Sequence, residues 1–260
     1  MAFLVVLPML IELAILVAGS LLLTFIGFII VRKKFTHERL SENHTVASYI
    51  FNAFSISYGV LLAFVVYANW YDNERAQQNV ANETSYLSNF YRDTRSFPDS
   101  VKKIITDKII CYTKAVVDDE WPEMENGNTS KLAEAELDSL WYTYSKIPTA
   151  QITNPYLYQI ALERLNFISQ YRRLRILDME QTTPAIIWVV LLICFSVSLG
   201  YTYFFTTKRK GTHISLIATF IIINVMIFYL IYVLDHPFKG YSGISSEPFQ
   251  LLLNKFITGG

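Results

Sequence analysis

The chain has little of what marks a site of chemistry. It holds two cysteines, Cys111 and Cys194. That excludes a disulfide framework, and since one lies in a polar stretch and the other in an apolar run, no bond between them is expected. Both read as packed small residues. The histidines are His37, His44, His213 and His236, without ligand spacing, so no metal is expected. No Ser/His/Asp, Walker or dinucleotide pattern occurs. The chain is therefore expected to be no enzyme and to need no cofactor. Charge is also scarce, with Asp, Glu, Lys and Arg at 17% of residues against roughly 25% in soluble domains. The net charge is zero, so no basic field argues for nucleic acid.

The charge deficit is concentrated. Four runs contain no Lys, Arg, Asp or Glu: Leu13 to Val31, Tyr49 to Trp70, Ala185 to Phe205, and Ile214 to Leu234. About 20 apolar residues cross a hydrocarbon core of roughly 30 Å as a helix. In lipid each backbone amide must be paired within the structure, which makes runs of this length helices. A cleaved signal peptide would carry its basic residues before the apolar core. Here Arg32, Lys33 and Lys34 follow the first run, so it reads as a retained anchor. Trp70, Tyr71, Trp188 and Tyr203 stand near run ends, where aromatic residues favour the membrane–water boundary.

Basic residues in short loops set orientation. The loops after runs one and three hold seven: Arg32, Lys33, Lys34, Arg39, Lys208, Arg209 and Lys210. Near the membrane on the opposite side stand five: Arg75, Arg172, Arg173, Arg175 and Lys239. This bias places the short loops in the cytoplasm and the intervening polar region outside, in a bacterial inner or plasma membrane.

Between runs two and three the pattern becomes amphipathic helix. Val80, Thr84, Leu87, Tyr91 and Thr94 share one face, on a helix expected to continue from run two because no Gly or Pro intervenes before Pro98. A second helix opens near Pro98 and buries Val101, Ile105, Ile109, Tyr112 and Val116, ending at Trp121-Pro122. A third covers about Lys131 to Tyr144. A fourth, opening at Asn154-Pro155, runs through Ile160, Leu165, Ile168 and Leu177 toward run three,. The expected fold is an all-α membrane protein with four transmembrane helices and a helical polar domain inserted between the second and third. Its expected parts are residues 1–70, the first two spans; 71–184, the inserted domain; 185–236, the last two spans; and 237–260, a C-terminal tail. Helices continuous with spans two and three would transmit movement of the inserted domain to the membrane.

Several residues are candidates for function. On span two Ser48, Asn52, Ser55, Gly59 and Ala63 recur at steps of three or four. Such a stripe is either a close helix–helix seam or the lining of a water-filled path. Asn224, mid-way along span four, needs a partner in lipid that span two could supply. Glu12 falls at the head of span one, and an acid in a membrane is costly and often functional; the boundary is its expected place. Asp118, Asp119, Glu120, Glu123 and Glu125 crowd together without a calcium-loop spacing, as at a solvated helix end. Arg172, Arg173 and Arg175 could hold lipid headgroups, pair with that acidic run, or draw anions toward a pore. N-x-[ST] triplets at Asn43, Asn82 and Asn128 occur at the frequency of chance.

From Asn43 to Gly240 the order of several short pieces resembles the bestrophin-like domain family of four-span membrane proteins. These pieces are Gly59 to Val66 followed by Trp70; Glu83, Leu87 and Tyr91-Arg92; Tyr112; Glu120-Trp121-Pro122 with Gly127; Leu140-Trp141; Arg172-Arg173 with Arg175; Pro184 with Trp188; and Pro237-Phe238 with Gly240. The family is distantly similar to bestrophins, pentameric anion channels whose second span lines the pore and ends in an aromatic pair, which Trp70-Tyr71 resembles. Positions similar to the bulky apolar neck fall near Ala53, Ser57 and Leu61; two of them are small, a departure from the bestrophin pattern. Bestrophin topology implies a cytoplasmic inserted domain, opposite to the charge count, which is the orientation carried forward. The resemblance implies a homo-oligomeric channel in the lipid bilayer that passes inorganic anions, with Asn52, Ser55, Ser57, Gly59 and Asn224 in the pore or in helix packing. The alternative is a non-conducting membrane protein whose helical domain senses or binds a partner.

Overall fold

The computed structural model describes residues 2–34, 44–148, 154–204 and 210–258. His37, Arg39, Asn43, Phe205, Lys208 and Arg209 lie outside the described residues, as do the side chains of Lys34, His44 and Lys210. Among the described residues every regular element is helical. In chain order these are α1 (Ala2–Lys34), α2 (His44–Thr94), α3 (Asp99–Ala115), a π-helical turn (Val116–Glu120), α4 (Trp121–Glu125), α5 (Lys131–Ser145), α6 (Pro155–Glu180), α7 (Ala185–Phe204), α8 (Lys210–Leu234) and α9 (Glu247–Thr258).

Four helices are long and apolar enough to cross a membrane. Their side chains say what surrounds them: Ile15, Leu23, Ile56, Phe64 and Ile186 are each 66–71% exposed. Water would make that surface costly at about 25 cal/mol per Å², whereas hydrocarbon makes it neutral. The chain divides into two compact units, one of Met1–Tyr71 with Thr182–Asp235 and one of Asp72–Gln181 with His236–Gly260.

Within the first unit Tyr58, Leu62 and Val65 of α2 pack with Leu191 of α7 and Ile231 of α8. A second cluster joins Phe28 of α1 to Ile217 and Ile221 of α8, with Tyr203 of α7 against it. Close approach is visible at Gly27, where an added Cβ would stand 3.0 Å from the Tyr203 hydroxyl.

The second unit has a core of its own. The expected stripes of α2 and α3 are buried throughout, from Val80 to Thr94 and from Val101 to Val116. Capping follows the sequence too: Asn154 accepts from the backbone N–H groups of Tyr156 and Leu157, with Pro155 in the first turn of α6,. Three expectations are corrected. The second helix does not end at Trp121-Pro122, because the π-helical turn carries it into α4. Leu177 is 49% exposed; the buried stripe of α6 is Ala161, Leu165, Ile168, Arg172, Arg175 and Asp178. Near-continuity into span three fails, since α6 ends at Glu180 and α7 begins at Ala185, with Pro184 unable to continue a ladder. Helix α2, by contrast, is unbroken from His44 to Thr94.

Residues 237–260, expected as a tail, carry a twelve-residue helix whose Phe249 and Phe256 join the core of the second unit along with Phe238. A tight turn precedes it. Gly240 adopts φ +70°, which favours glycine, and the Ile244 N–H donates to the Pro237 carbonyl at 2.7 Å.

Candidate functional site

Span two has a packed side and an exposed side. Tyr58, Leu62, Val65 and Asn69 are buried against the other spans. Asn52, Ser57, Gly59 and Ala63 are exposed, and Ser55 is half-buried. A Cβ built on Gly59 meets nothing within 4 Å, so no helix of the same chain approaches there. The Asn52 side chain makes no hydrogen bond among the described residues, and the Ser57 hydroxyl donates back to the Ala53 carbonyl at 3.2 Å. Of the neck-like positions, Ala53 and Ser57 are exposed and Leu61 half-buried. A seam within this chain is thus not what the small polar stripe forms.

The seam is made by Tyr58, Leu62 and Val65. The Tyr58 hydroxyl donates to the Asn224 Oδ1 at 3.0 Å, and the Asn224 amide donates to the Phe220 carbonyl at 2.9 Å. Asn224 therefore meets span two through Tyr58 rather than through Asn52 or Ser55. At the Trp70 end of the spans, the Thr183 hydroxyl donates to Asp235 at 2.7 Å and lies 2.9 Å from the Asn69 Oδ1, while the Thr183 N–H donates to Asp235 at 2.5 Å. This polar knot ties α2, the entry to α7 and the exit of α8. Glu12 accepts from the Tyr229 hydroxyl at 3.2 Å.

The second unit holds a buried charge network. Arg175 is fully buried, and Arg172 is 9% exposed. Arg175 grips Glu83 with two bonds, Nε to Oε2 at 2.8 Å and Nη2 to Oε1 at 3.1 Å, and reaches Glu120 Oε2 at 2.7 Å. Arg172 binds Glu120 Oε1 from Nε at 3.0 Å and Nη2 at 2.6 Å. The Tyr112 hydroxyl donates to Glu83 at 2.7 Å. Two arginines meet two glutamates, so the cluster is neutral and its lone pairs are used, as a buried ion pair requires. Burial by itself would raise the Glu120 carboxyl pKa; Arg175 and Arg172 outweigh it and hold the group below its ordinary value. Burial pushes the Tyr112 phenol well up, and Glu83 and Glu120 add to the shift.

Aromatic rings close the network. Arg175 lies 5.0 Å from the Trp121 ring centroid and 5.5 Å from that of Phe249,. Trp121 meets Phe238 edge-on at 6.0 Å and donates its indole N–H to the Ile244 carbonyl at 3.0 Å. Tyr91 packs on Phe256 at 4.4 Å. Residues far apart in sequence are thus assembled around one guanidinium. Arg92 and Pro122 stay exposed outside it, and Pro237 is buried beside Phe238.

A model of the bestrophin-like domain matches residues 18–249. The chain belongs to the bestrophin-like domain family. Solved structures agree at the level of fold. A tryptophan-to-alanine variant of the bacterial bestrophin homologue from Klebsiella pneumoniae superposes with a TM-score of 0.74 at 12% identity, covering 96% of this chain and 97% of that one. A leucine-to-threonine variant gives 0.72 at 11%, covering 94% and 98%. Among curated proteins no sequence matches significantly.

In this bestrophin-like chain Arg172 and Arg175 take one of the three expected alternatives, pairing with the acidic run through Glu120, and Glu83 completes their enclosure. Arg173 is exposed. The acidic run is also dispersed: Glu120 points inward, Asp119 accepts from Ser130, and Glu123 accepts from Asn128 at 3.2 Å. No group of three potential metal ligands occurs among the described residues. Sequence reasoning missed Tyr58, Asn69, Thr183 and Asp235. A tyrosine opposite a mid-span asparagine was the available signal for the first, whereas the knot at Thr183 joins three distant segments and has none.

Proposed function

We propose that the protein is a homo-oligomeric channel in which span two of each copy lines a shared water-filled path for inorganic anions. One observation carries this reading: Asn52, Ser57 and Gly59 of α2 are exposed among the described residues and a Cβ on Gly59 meets nothing within 4 Å, while Tyr58, Leu62 and Val65 are packed. An amide left without a partner in an apolar surrounding costs about 1–3 kcal/mol. The Asn52 amide facing hydrocarbon would carry that cost in every copy. Water or a second copy removes it, and a ring of copies with α2 innermost supplies both. Membership of the bestrophin-like family adds support. With Arg172 and Arg175 neutralised by Glu83 and Glu120, anion preference in this reading comes from hydroxyl and amide donors on the path and not from fixed arginine charge. The short basic loops face the cytoplasm of a bacterial inner or plasma membrane, following the charge count.

The test is anion flux from vesicles containing the purified protein, with oligomeric state measured in detergent. A closed ring and a wild-type flux reduced in Asn52→Leu and Ser55→Leu are expected. A monomer, or no wild-type flux under varied voltage and pH, overturns the reading in favour of a non-conducting protein that binds a partner.

A further inference from the structure

A groove of about 540 Å³ opens between α1, α7 and α8, bounded by Glu12, Leu16, Trp188, Phe228, Tyr229 and Tyr232. That volume is within the roughly 300–1,000 Å³ of small-molecule sites, yet the walls are almost wholly hydrocarbon and the opening faces where lipid lies. One acid stands at its head. Glu12 is exposed and bonded to Tyr229 alone among the described residues, at 3.2 Å. The carboxylate therefore keeps free acceptor positions in a place where an unpaired charge is costly.

Depth fits a headgroup. Tyr229 is five residues from the end of α8 and Trp188 three from the start of α7, so both lie about 5–8 Å inside their helix ends at 1.5 Å per residue. That is the interfacial layer, where headgroup meets chain. Below it Leu16 and its neighbours extend the apolar wall toward the bilayer centre. Trp188 contributes a donor: its ring packs against Phe228 at 6.5 Å, and its indole N–H makes no hydrogen bond among the described residues. The groove thus brings together an acceptor, a free donor and an apolar trough, the chemistry that an ammonium, a phosphate and an acyl chain require.

We propose that this groove binds a phospholipid with a primary ammonium headgroup, the ammonium on Glu12, the phosphate on the Trp188 N–H and one acyl chain along Leu16. Charge complementarity selects the occupant. A carboxylate repels phosphatidylglycerol, and a quaternary ammonium has no N–H with which to satisfy the carboxylate. The inference does not depend on conduction.

The experiment uses the full chain in vesicles and reads quenching of tryptophan fluorescence by lipids brominated on the acyl chain. Brominated phosphatidylethanolamine, phosphatidylcholine and phosphatidylglycerol are compared at equal mole fraction, and Trp188→Phe identifies the part of the signal that belongs to the groove. A three-fold or greater preference for phosphatidylethanolamine at Trp188 is expected, lost in Glu12→Gln and kept in Tyr229→Phe, which retains the carboxylate. Equal quenching by the three lipids overturns the proposal and marks the groove as ordinary annular contact. Preference for phosphatidylcholine or a brominated fatty ammonium overturns it in favour of another cation. A preference that survives Glu12→Gln in folded protein overturns the assignment of the carboxylate.

Discussion

Arg175 lies over Trp121 with its guanidinium carbon 5.0 Å from the ring centroid, and its edge donates two hydrogen bonds to Glu83. This pairing holds the polar domain together, and it explains why acids and bases scattered over the chain end in one place. Replacing Arg175 with Leu leaves the buried Glu83 charge with the Tyr112 hydroxyl but no cation, and one oxygen of Glu120 without its partner. Breaking a buried pair from one side costs about 3–5 kcal/mol, so Arg175→Leu is expected to lose the cooperative unfolding of the domain in detergent. Arg175→Lys fares little better, because an ammonium cannot make the planar two-bond contact. Unchanged melting of Arg175→Lys by circular dichroism would contradict this.

Glu120 makes the same domain sensitive to acid, and the sign can be worked out. Its carboxyl titrates below the ordinary 4.5 in the folded state, burial opposing and Arg175 and Arg172 prevailing. The unfolded chain therefore binds the proton first as pH falls. The contribution is complete above 4.5 and is lost as pH drops through the folded value,. Glu120→Gln should be less stable than wild type at pH 7 and should show a shallower loss of stability on acidification. Parallel curves of melting temperature against pH would remove Glu120 from the account.

Tyr58 and Asn224 make the described link between spans two and four. Hydrogen bonds between membrane helices average near 0.6 kcal/mol and reach about 1–2. Tyr58→Phe and Asn224→Leu are each expected to lower stability in detergent by that order. The double variant should lose less than the sum, since the two share one bond. Strict additivity would show that the pair does not interact.

Orientation can be read from a native side chain. Cys111, expected to be packed, is instead exposed on α3, while Cys194 is half-buried within span three. In a Cys194→Ser background, a membrane-impermeant maleimide added to intact cells is expected to label Cys111. Labelling that appears only after the membrane is opened would place the polar domain in the cytoplasm.

Much of this fold is legible in the sequence, for a physical reason. Lipid imposes long uncharged runs, and Val80 to Thr94 or Val101 to Val116 repeat at the helical period because water lies on one side of them. Where burial is polar the rule fails. The inner stripe of α6 continues past Ile168 as Arg172, Arg175 and Asp178, charges that no apolar period marks, while the apolar Leu177 is 49% exposed. Charges of this kind become interior only because Glu83 and Glu120 arrive from other helices, and no local pattern encodes that meeting. The C-terminal helix was closer to reach: Phe249, Leu252 and Phe256 mark one face of it, and that face packs on the core. On span two the stripe from Asn52 to Gly59 was visible as chemistry, but whether it faced a neighbouring span was a matter of rotation that Tyr58, Leu62 and Val65 decide.

In the proposed channel the exposed side of span two meets water. With Cys111 and Cys194 replaced by Ser, the variants Ser57→Cys and Leu62→Cys would be reconstituted and treated with a charged, water-soluble methanethiosulfonate while anion flux is recorded. Ser57→Cys is expected to conduct and to lose most of its flux on modification, and Leu62→Cys, on the packed face, is expected to conduct unaltered. Unreactive Ser57→Cys beside reactive Leu62→Cys, or vesicles that pass no anion with either, would contradict it.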